Sequence, residues 1–332
     1  MGLVNRLKAA LPALTLTLLA LMGAAVVLST GPLAIPAADL LAALIGRGAP
    51  EAELVLTLRA PRLLAALTCG AALAGAGAGF QILFRNPLAA PDLLGVSSGA
   101  GLGAAVALLL GAGTVLVQSA AFAGGLAIGG LAMGCAALTR SGDGRLALIL
   151  CGVVAGALAS AGLGLVVIVA EPYSQLPAIT YWLLGSFTRA TLAEALFALG
   201  PICLGGAILL WLGFRLDVLS LGDEQARSLG LSARALRVTA LAAAALMTSA
   251  AVALAGIVGW IGLLAPHAAR LIVGDRAGQL IPASMAIGAL FALIIDRMAT
   301  AFGPAEIPVG LLSAAIGAPA FLFLFVAASR RS

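Results

Sequence analysis

Ten apolar runs, most of them near the length that crosses a bilayer, follow one another along this chain and constrain its fold more than anything else in it. A spanning helix needs roughly 20 largely apolar residues to cross about 30 Å of hydrocarbon. Read between charged or Pro/Gly-rich breaks, the runs lie near 11–29, 63–84, 92–112, 115–138, 146–169, 192–213, 237–256, 257–273, 281–301 and 307–328. The eighth is the weakest, being short and interrupted by Gly259, Gly262 and Pro266. Composition removes the soluble alternative. Only 9% of the 332 residues are charged, against about 25% in a soluble domain, too few to coat a globule of this size. The expectation is an all-α polytopic membrane protein of about ten transmembrane helices, one domain over residues 1–332 without an internal repeat or a flexible linker.

Orientation follows from the basic residues, because cytoplasmic loops carry an excess of Lys and Arg. With the N-terminus inside, thirteen of the 18 basic residues fall on the cytoplasmic side: Arg6, Lys8, Arg85, Arg140, Arg145, Arg215, Arg227, Arg234, Arg237, Arg270, Arg276, Arg330 and Arg331. Four fall outside, Arg47, Arg59, Arg62 and Arg189, and Arg297 lies within the ninth span. Both termini are therefore expected in the cytoplasm. The same distribution explains the net charge of +5 without nucleic acid as a partner. Arg6 and Lys8 before an apolar run resemble a signal peptide, but the run from Leu11 to Leu28 exceeds the usual core of roughly 7–15 residues. It is read as a retained first helix.

Helices in lipid associate through close backbone approach, which small residues permit. Gly75/Gly79, Gly99/Gly103, Gly125/Gly129, Gly130/Gly134 and Gly152/Gly156 each place two glycines about one turn apart, and together they favour a tightly packed bundle. Cys69, Cys135, Cys151 and Cys203 all sit in apolar runs and read as small hydrophobic fillers. His267 is the single histidine, so a histidine-based metal site is not expected, and no metal-ligating residue is assigned. Outside the membrane, 33–46 reads as a short interfacial helix. Residues 171–190 read as a second outer element, with Tyr181 and Trp182 as headgroup-level anchors.

A phosphate-cradling loop ends in Gly-Lys-Ser/Thr. The single lysine here, Lys8, follows Leu7, so this chain carries no such loop, and any ATP and Mg2+ would be bound by a partner. A secondary carrier would instead want ionisable groups inside spans, each costing about 2.5–3.5 kcal/mol at mid-helix. Asp296 and Arg297 are the pair that qualifies well. As neighbours they point in different directions on a helix, leaving a packing or subunit contact and a place on the pathway both open.

The strongest positive feature is the polar island between spans six and seven, 221–237. Asp223 and Glu224 open a short helix there, with Arg227 three residues after Glu224. Gly230 can end it, and Ser232 can cap a second short helix carrying Arg234 and Arg237. Two short helices with a glycine bend make a docking knob, whereas a solvated loop would need no such cap signals.

At this point the chain resembles the FecCD family, the permease subunits of iron-siderophore, haem and vitamin B12 ABC importers. The resemblance runs over nearly the whole chain and is most specific at 58–100 (LRAPRLLAALTCGAALAGAGAGFQILFRNPLAAPDLLGVSSGA), 221–231 (LGDEQARSLGL), 255–275 (AGIVGWIGLLAPHAARLIVGD) and 305–325 (AEIPVGLLSAAIGAPAFLFLF). It implies the type II importer permease fold in the bacterial inner membrane. Also implied are a second permease subunit, identical or paralogous, two cytoplasmic ATPase subunits and an outer substrate-binding protein. The island then becomes the ATPase-coupling element through Gly222, Asp223, Glu224, Gln225, Ala226, Arg227, Gly230 and Arg234, with Pro266–Asp275 as a second candidate contact. Arg59 and Arg62 match the family's LRxPR pair, which meets acidic residues of the binding protein; the residues alone also allow snorkelling to anionic headgroups. A third basic contact near the outer end of span nine has Arg297 as its nearest candidate. The implied activity is translocation without covalent chemistry, and the chain itself is not an enzyme. The implied cargo is a ferric siderophore, haem or cobalamin, with a molybdate-type oxyanion as the alternative; for that Arg189 is the near candidate. An ion-coupled carrier remains the rival of a different class.

Overall fold

The computed structural model describes residues 3–29, 35–45, 47–139, 144–301 and 306–329. Among them are thirteen α-helices: α1 (Leu3–Ser29), α2 (Ala37–Leu44), α3 (Pro50–Phe84), α4 (Val96–Leu109), α5 (Thr114–Leu138), α6 (Gly144–Val169), α7 (Gln175–Leu183), α8 (Leu192–Leu221), α9 (Asp223–Ser228), α10 (Ala233–Ala255), α11 (Ile261–Val273), α12 (Ala277–Ala301) and α13 (Val309–Ser329). Seven are long and apolar enough to cross a membrane, α1, α3, α5, α6, α8, α10 and α12; α4, α11 and Val309–Phe323 of α13 are shorter apolar helices. Together they match the ten apolar runs in order.

α3 is the axis of the bundle. Its apolar window is 83% buried, against 17% for α1 and 22% each for α5 and α6. The reason lies in GAALAGAGAG: a helix small on every side lets α8, α10, α11 and α12 pack around it at once. A Cβ built on Gly70 would lie 2.3 Å from the Gly288 carbonyl oxygen on α12, and one on Gly288 equally close to the Gly70 oxygen. The α4–α5 crossing is as close, with a Cβ on Gly103 falling 2.1 Å from the Ala120 oxygen. Both crossings are backbone against backbone, the geometry that stabilises helix pairs in lipid. Of the predicted glycine pairs, Gly130/Gly134 departs from the pattern: nothing stands within 4 Å of either, so that stripe faces outward.

Several boundaries differ from the sequence reading, each for a local reason. The second span begins at Pro50 rather than 63, because proline at the first position with Glu51 and Glu53 in the first turn starts a helix well. Arg59 and Arg62 therefore lie within a helix rather than ahead of one. The third span is broken at Gly95, whose φ of +68° ends a 3-10 turn at Pro91–Leu94 before α4 starts. The seventh begins at Ala233, so the second short helix of the polar island is instead the first turn of α10. The weak eighth span is irregular over 256–259 and helical from Ile261. At 13 residues it is about 20 Å long, short of the hydrocarbon thickness. Trp182, expected at headgroup depth, is buried among Ala100, Ala104 and Val252, whereas Tyr181 is exposed. Of the expected interfacial helix, α2 is present, and residues 33, 34 and 46 lie outside the described residues, as do Arg140, Arg330 and Arg331.

Candidate functional site

The helix α9 caps one end of the bundle, between α8 and α10. Gly222 precedes it with φ +151°, and a Cβ there would lie 1.9 Å from the Gln225 side-chain oxygen. Gly230 closes it with φ +75°, and the Leu231 amide donates back to the Ala226 carbonyl at 2.9 Å, the six-to-one bond of a Schellman ending. Ser232 then caps α10, accepting from the Ala235 amide at 3.3 Å. Both cap signals in the sequence are thus used. Asp223 and Ala226 face the bundle, while Glu224, Gln225, Arg227 and Leu229 are exposed. Glu224 and Arg227 present mixed charge outward, and no ion pair joins them among the described residues.

The partner of the inward face is Arg237. Its guanidinium donates twice to the Asp223 carboxylate, once at 2.9 Å, and Arg145 at the start of α6 approaches the same carboxylate at 3.8 Å. The hydrogen bonds from Arg237 hold the Asp223 carboxyl below the usual carboxylate range, outweighing partial burial. A bidentate Arg–carboxylate pair fixes angle as well as distance, so α9 is tied to the first turns of α10 and α6. The end of α8 is tied as well. Arg85, itself at φ +49°, donates to the Leu219 carbonyl at 2.9 Å, and Asp217 accepts from the Ala277 amide at the start of α12 at 2.7 Å. Through these bonds α9 and the end of α8 are joined to α3, α6, α10 and α12. Arg85, Arg145 and Asp217 were not among the expected site residues; an acid four positions before the polar island was the available signal for Asp217.

Pro266–Asp275 comes to the same end. Arg270 pairs with Asp275 at 2.5 Å and donates to the Gln81 side chain at 3.0 Å. These residues, with Arg85 and Asp217, line a cleft of about 380 Å3 beside the root of α9. Arg234 sits apart from it, exposed on the first turn of α10.

At the opposite end, Arg59 and Arg62 diverge. Arg62 lies against α12, its Nε 2.8 and 3.1 Å from the two oxygens of Asp296 and its Nη1 2.8 Å from Glu306. Glu306 also accepts from the Thr188 hydroxyl. Burial, the largest influence on Glu306, works against its charge, but Arg62 and Thr188 hold the carboxyl below its ordinary range. Arg59 turns the other way and donates to the Leu28 carbonyl of α1 at 3.0 Å. The partner of Asp296 is thus Arg62, 234 positions away, and not its neighbour Arg297, which is half-buried. Arg62 does not stand beside Arg59 as a displayed pair: its charge is used inside the chain. Arg189 donates to the Tyr181 carbonyl at 3.1 Å and lines a cavity of about 260 Å3 with Gln118, Trp182 and Glu194.

A ten-run helical bundle, a strapped helical knob at one end and an arginine–carboxylate fastener at the other can be set against known proteins. The sequence profile of the FecCD transport family matches residues 16–327. The chain belongs to the FecCD transport family. Among FecCD relatives, a molybdate import system permease protein of Haemophilus influenzae is 34% identical over 82% of this chain and 80% of its own. A probable iron chelatin transport system permease protein of Helicobacter pylori is 39% identical over 82% of each chain. A solved structure assigned to a metal-chelate type ABC transporter, in an inward-facing conformation, matches with a TM-score of 0.86 at 33% identity, covering 95% of this chain and 98% of that one. A FecCD permease is a multi-pass membrane protein.

Proposed function

We propose that this FecCD permease is the membrane-spanning part of a binding-protein-dependent ABC importer. Its cargo would be a metal chelate of the ferric siderophore, haem or cobalamin kind. In this reading two permease subunits surround the path, both termini are cytoplasmic, and two ATPase subunits bind ATP and Mg2+ below them. A substrate-binding protein delivers the cargo from outside. The observation that carries the reading is the match over 95% of the chain to a metal-chelate type ABC transporter at a TM-score of 0.86. Relatives named for iron chelatin, hemin and cobalamin import support the cargo class.

The geometry supplies a mechanism. Closure of the ATPase subunits on ATP presses the exposed face of α9, Glu224, Gln225 and Arg227. The Asp223–Arg237 clamp passes that displacement to α10, and Arg145 and the Asp217 cap pass it to α6, α8 and α12. On the outer side Arg59 is the residue through which an acidic binding protein steers, acting mainly on encounter rate and weakening with salt. Arg62 contributes there only where its internal carboxylates exchange for those of the partner. A second reading, an oxyanion cargo, is favoured by the molybdate permease among the relatives, and Arg189 is the basic residue that would serve it.

The test is uptake by the complex reconstituted in proteoliposomes with its ATPase subunit and binding protein. ATP-dependent accumulation of a radiolabelled ferric siderophore, haem or cobalamin is expected. Accumulation of radiolabelled molybdate instead establishes the second reading, and accumulation without the ATPase subunit establishes an ion-coupled carrier and overturns both.

A further inference from the structure

We infer that a cleft between the α9-side ends of α5, α6 and α10 binds the headgroup of an acidic phospholipid. The cleft holds about 260 Å3; Met133, Ala137, Leu148 and Val238 make its apolar wall, and Arg234 and Arg237 its basic side. Arg234 is exposed and enters no ion pair among the described residues. The backbone adds to the positive field. The first amides of α10, which starts at Ala233, lie beside this cleft, and amides at a helix N-terminus favour phosphate. The end of α5 opposes them, though its Thr139 hydroxyl is turned onto the Ala136 carbonyl at 2.8 Å. Among the described residues Asp223 is the acid that faces these groups, and Arg237 and Arg145 already share it.

Position selects the ligand. Three long apolar helices end here, so the cleft lies where hydrocarbon gives way to headgroups. Leu138, Leu146, Leu150 and Val238 around it are exposed and offer an apolar surface for acyl chains. A soluble anion makes no use of that surface, whereas a phospholipid uses both halves of the site. Basic pockets between helices on the cytoplasmic side recognise acidic headgroups in this way. Arg237 lines the cleft and also clamps Asp223, so a bound headgroup sits on the hinge of α9. Arg234, expected from the sequence to contact the ATPase, lines this cleft.

The full chain, purified alone in detergent, is titrated with phosphatidylglycerol or phosphatidylcholine, and bound lipid is counted by native mass spectrometry. The wild type should retain phosphatidylglycerol in preference to phosphatidylcholine. Arg234→Gln should weaken phosphatidylglycerol binding about fivefold, the factor for one basic side chain at an anionic lipid surface, and Arg234→Lys should restore most of it. Ala137 is exposed, so Ala137→Trp fills the cleft with its charges intact and should abolish the preference; it carries the test if Arg234→Gln does not fold. Equal phosphatidylglycerol binding by the wild type and the cleft-filled variant overturns the inference. Displacement of the lipid by inorganic phosphate at equal concentration overturns it too, by assigning the site to a soluble anion. Because no ATPase subunit is present, the outcome is independent of the transport reading.

Discussion

Removing Arg62 should damage the protein from within before it damages any contact outside. The Asp296 side chain is 5% exposed and receives two hydrogen bonds from Arg62, whose own side chain is 17% exposed. Truncating one member of a buried pair leaves an uncompensated charge, typically at a cost of about 3–5 kcal/mol. The partial exposure of Arg62 places Arg62→Met near the lower end, about 3 kcal/mol. Asp296→Asn should cost less, about 1–2 kcal/mol, because Arg62 keeps its bond to Glu306. The double variant should then be no worse than Arg62→Met alone, since no charge is left buried without a partner. That difference is a coupling of about 1–2 kcal/mol. Chemical unfolding of the four chains in mixed micelles measures it, with Arg59→Met as the control for losing an arginine on the same helix. Additivity of the two single variants, or an Arg62→Met chain as stable as Arg59→Met, would refute an internal fastener and return Arg62 to the outer surface as a docking residue.

Gly230→Leu forces a branched side chain into φ +75°, at about 1–2 kcal/mol. With Glu224→Arg on the exposed face of α9, it should leave the chain inserted yet uncouple ATP hydrolysis from uptake in proteoliposomes; normal coupling in both would move the ATPase contact to Pro266–Asp275. Gly77→Ala places a Cβ 1.8 Å from the Gly262 carbonyl oxygen, a backbone atom that cannot turn aside, and should cost about 1–3 kcal/mol. Gly134→Ala, with nothing within 4 Å, should be neutral in the same unfolding assay. Asp223 has its carboxyl pKa lowered by Arg237, so the clamp contributes fully above the unfolded carboxylate value of about 3.9 and weakens as pH falls through the lower folded value. Coupled ATPase activity should therefore show no Asp223-dependent step between about pH 5 and 8; a step there that Asp223→Asn abolishes would contradict the clamp.

Local signals were readable one by one. The capping serine, the closing glycine and the two acids of α9 act within a few residues of where they stand, so 221–232 was legible before any packing was known. The same holds for the ten apolar runs, whose lengths answer to bilayer thickness. Local reading missed the start of α3, because Glu51 and Glu53 are charged and, with Pro50, lie outside the apolar run, although all three are strong helix starters. It also misjudged Trp182, since an aromatic near a span end is buried or exposed according to what packs over it. Here that is α4, α5 and the end of α10.

What the sequence by itself determined is the class: a polytopic helical membrane protein of the FecCD pattern, with no phosphate loop and a structured knob between spans six and seven. Those follow from run length, composition and caps, which are local or summed properties. The tertiary structure alone decided the partnerships of the charges. Asp296 belongs to Arg62 and not to Arg297, Asp223 to Arg237 and Arg145 and not to Arg227, and Asp217 to the first amide of α12. A charge in or near a membrane is costly without a partner, but sequence order says nothing about which distant helix supplies it. Packing around α3 brings α8, α10 and α12 together, and with them the partners of these carboxylates.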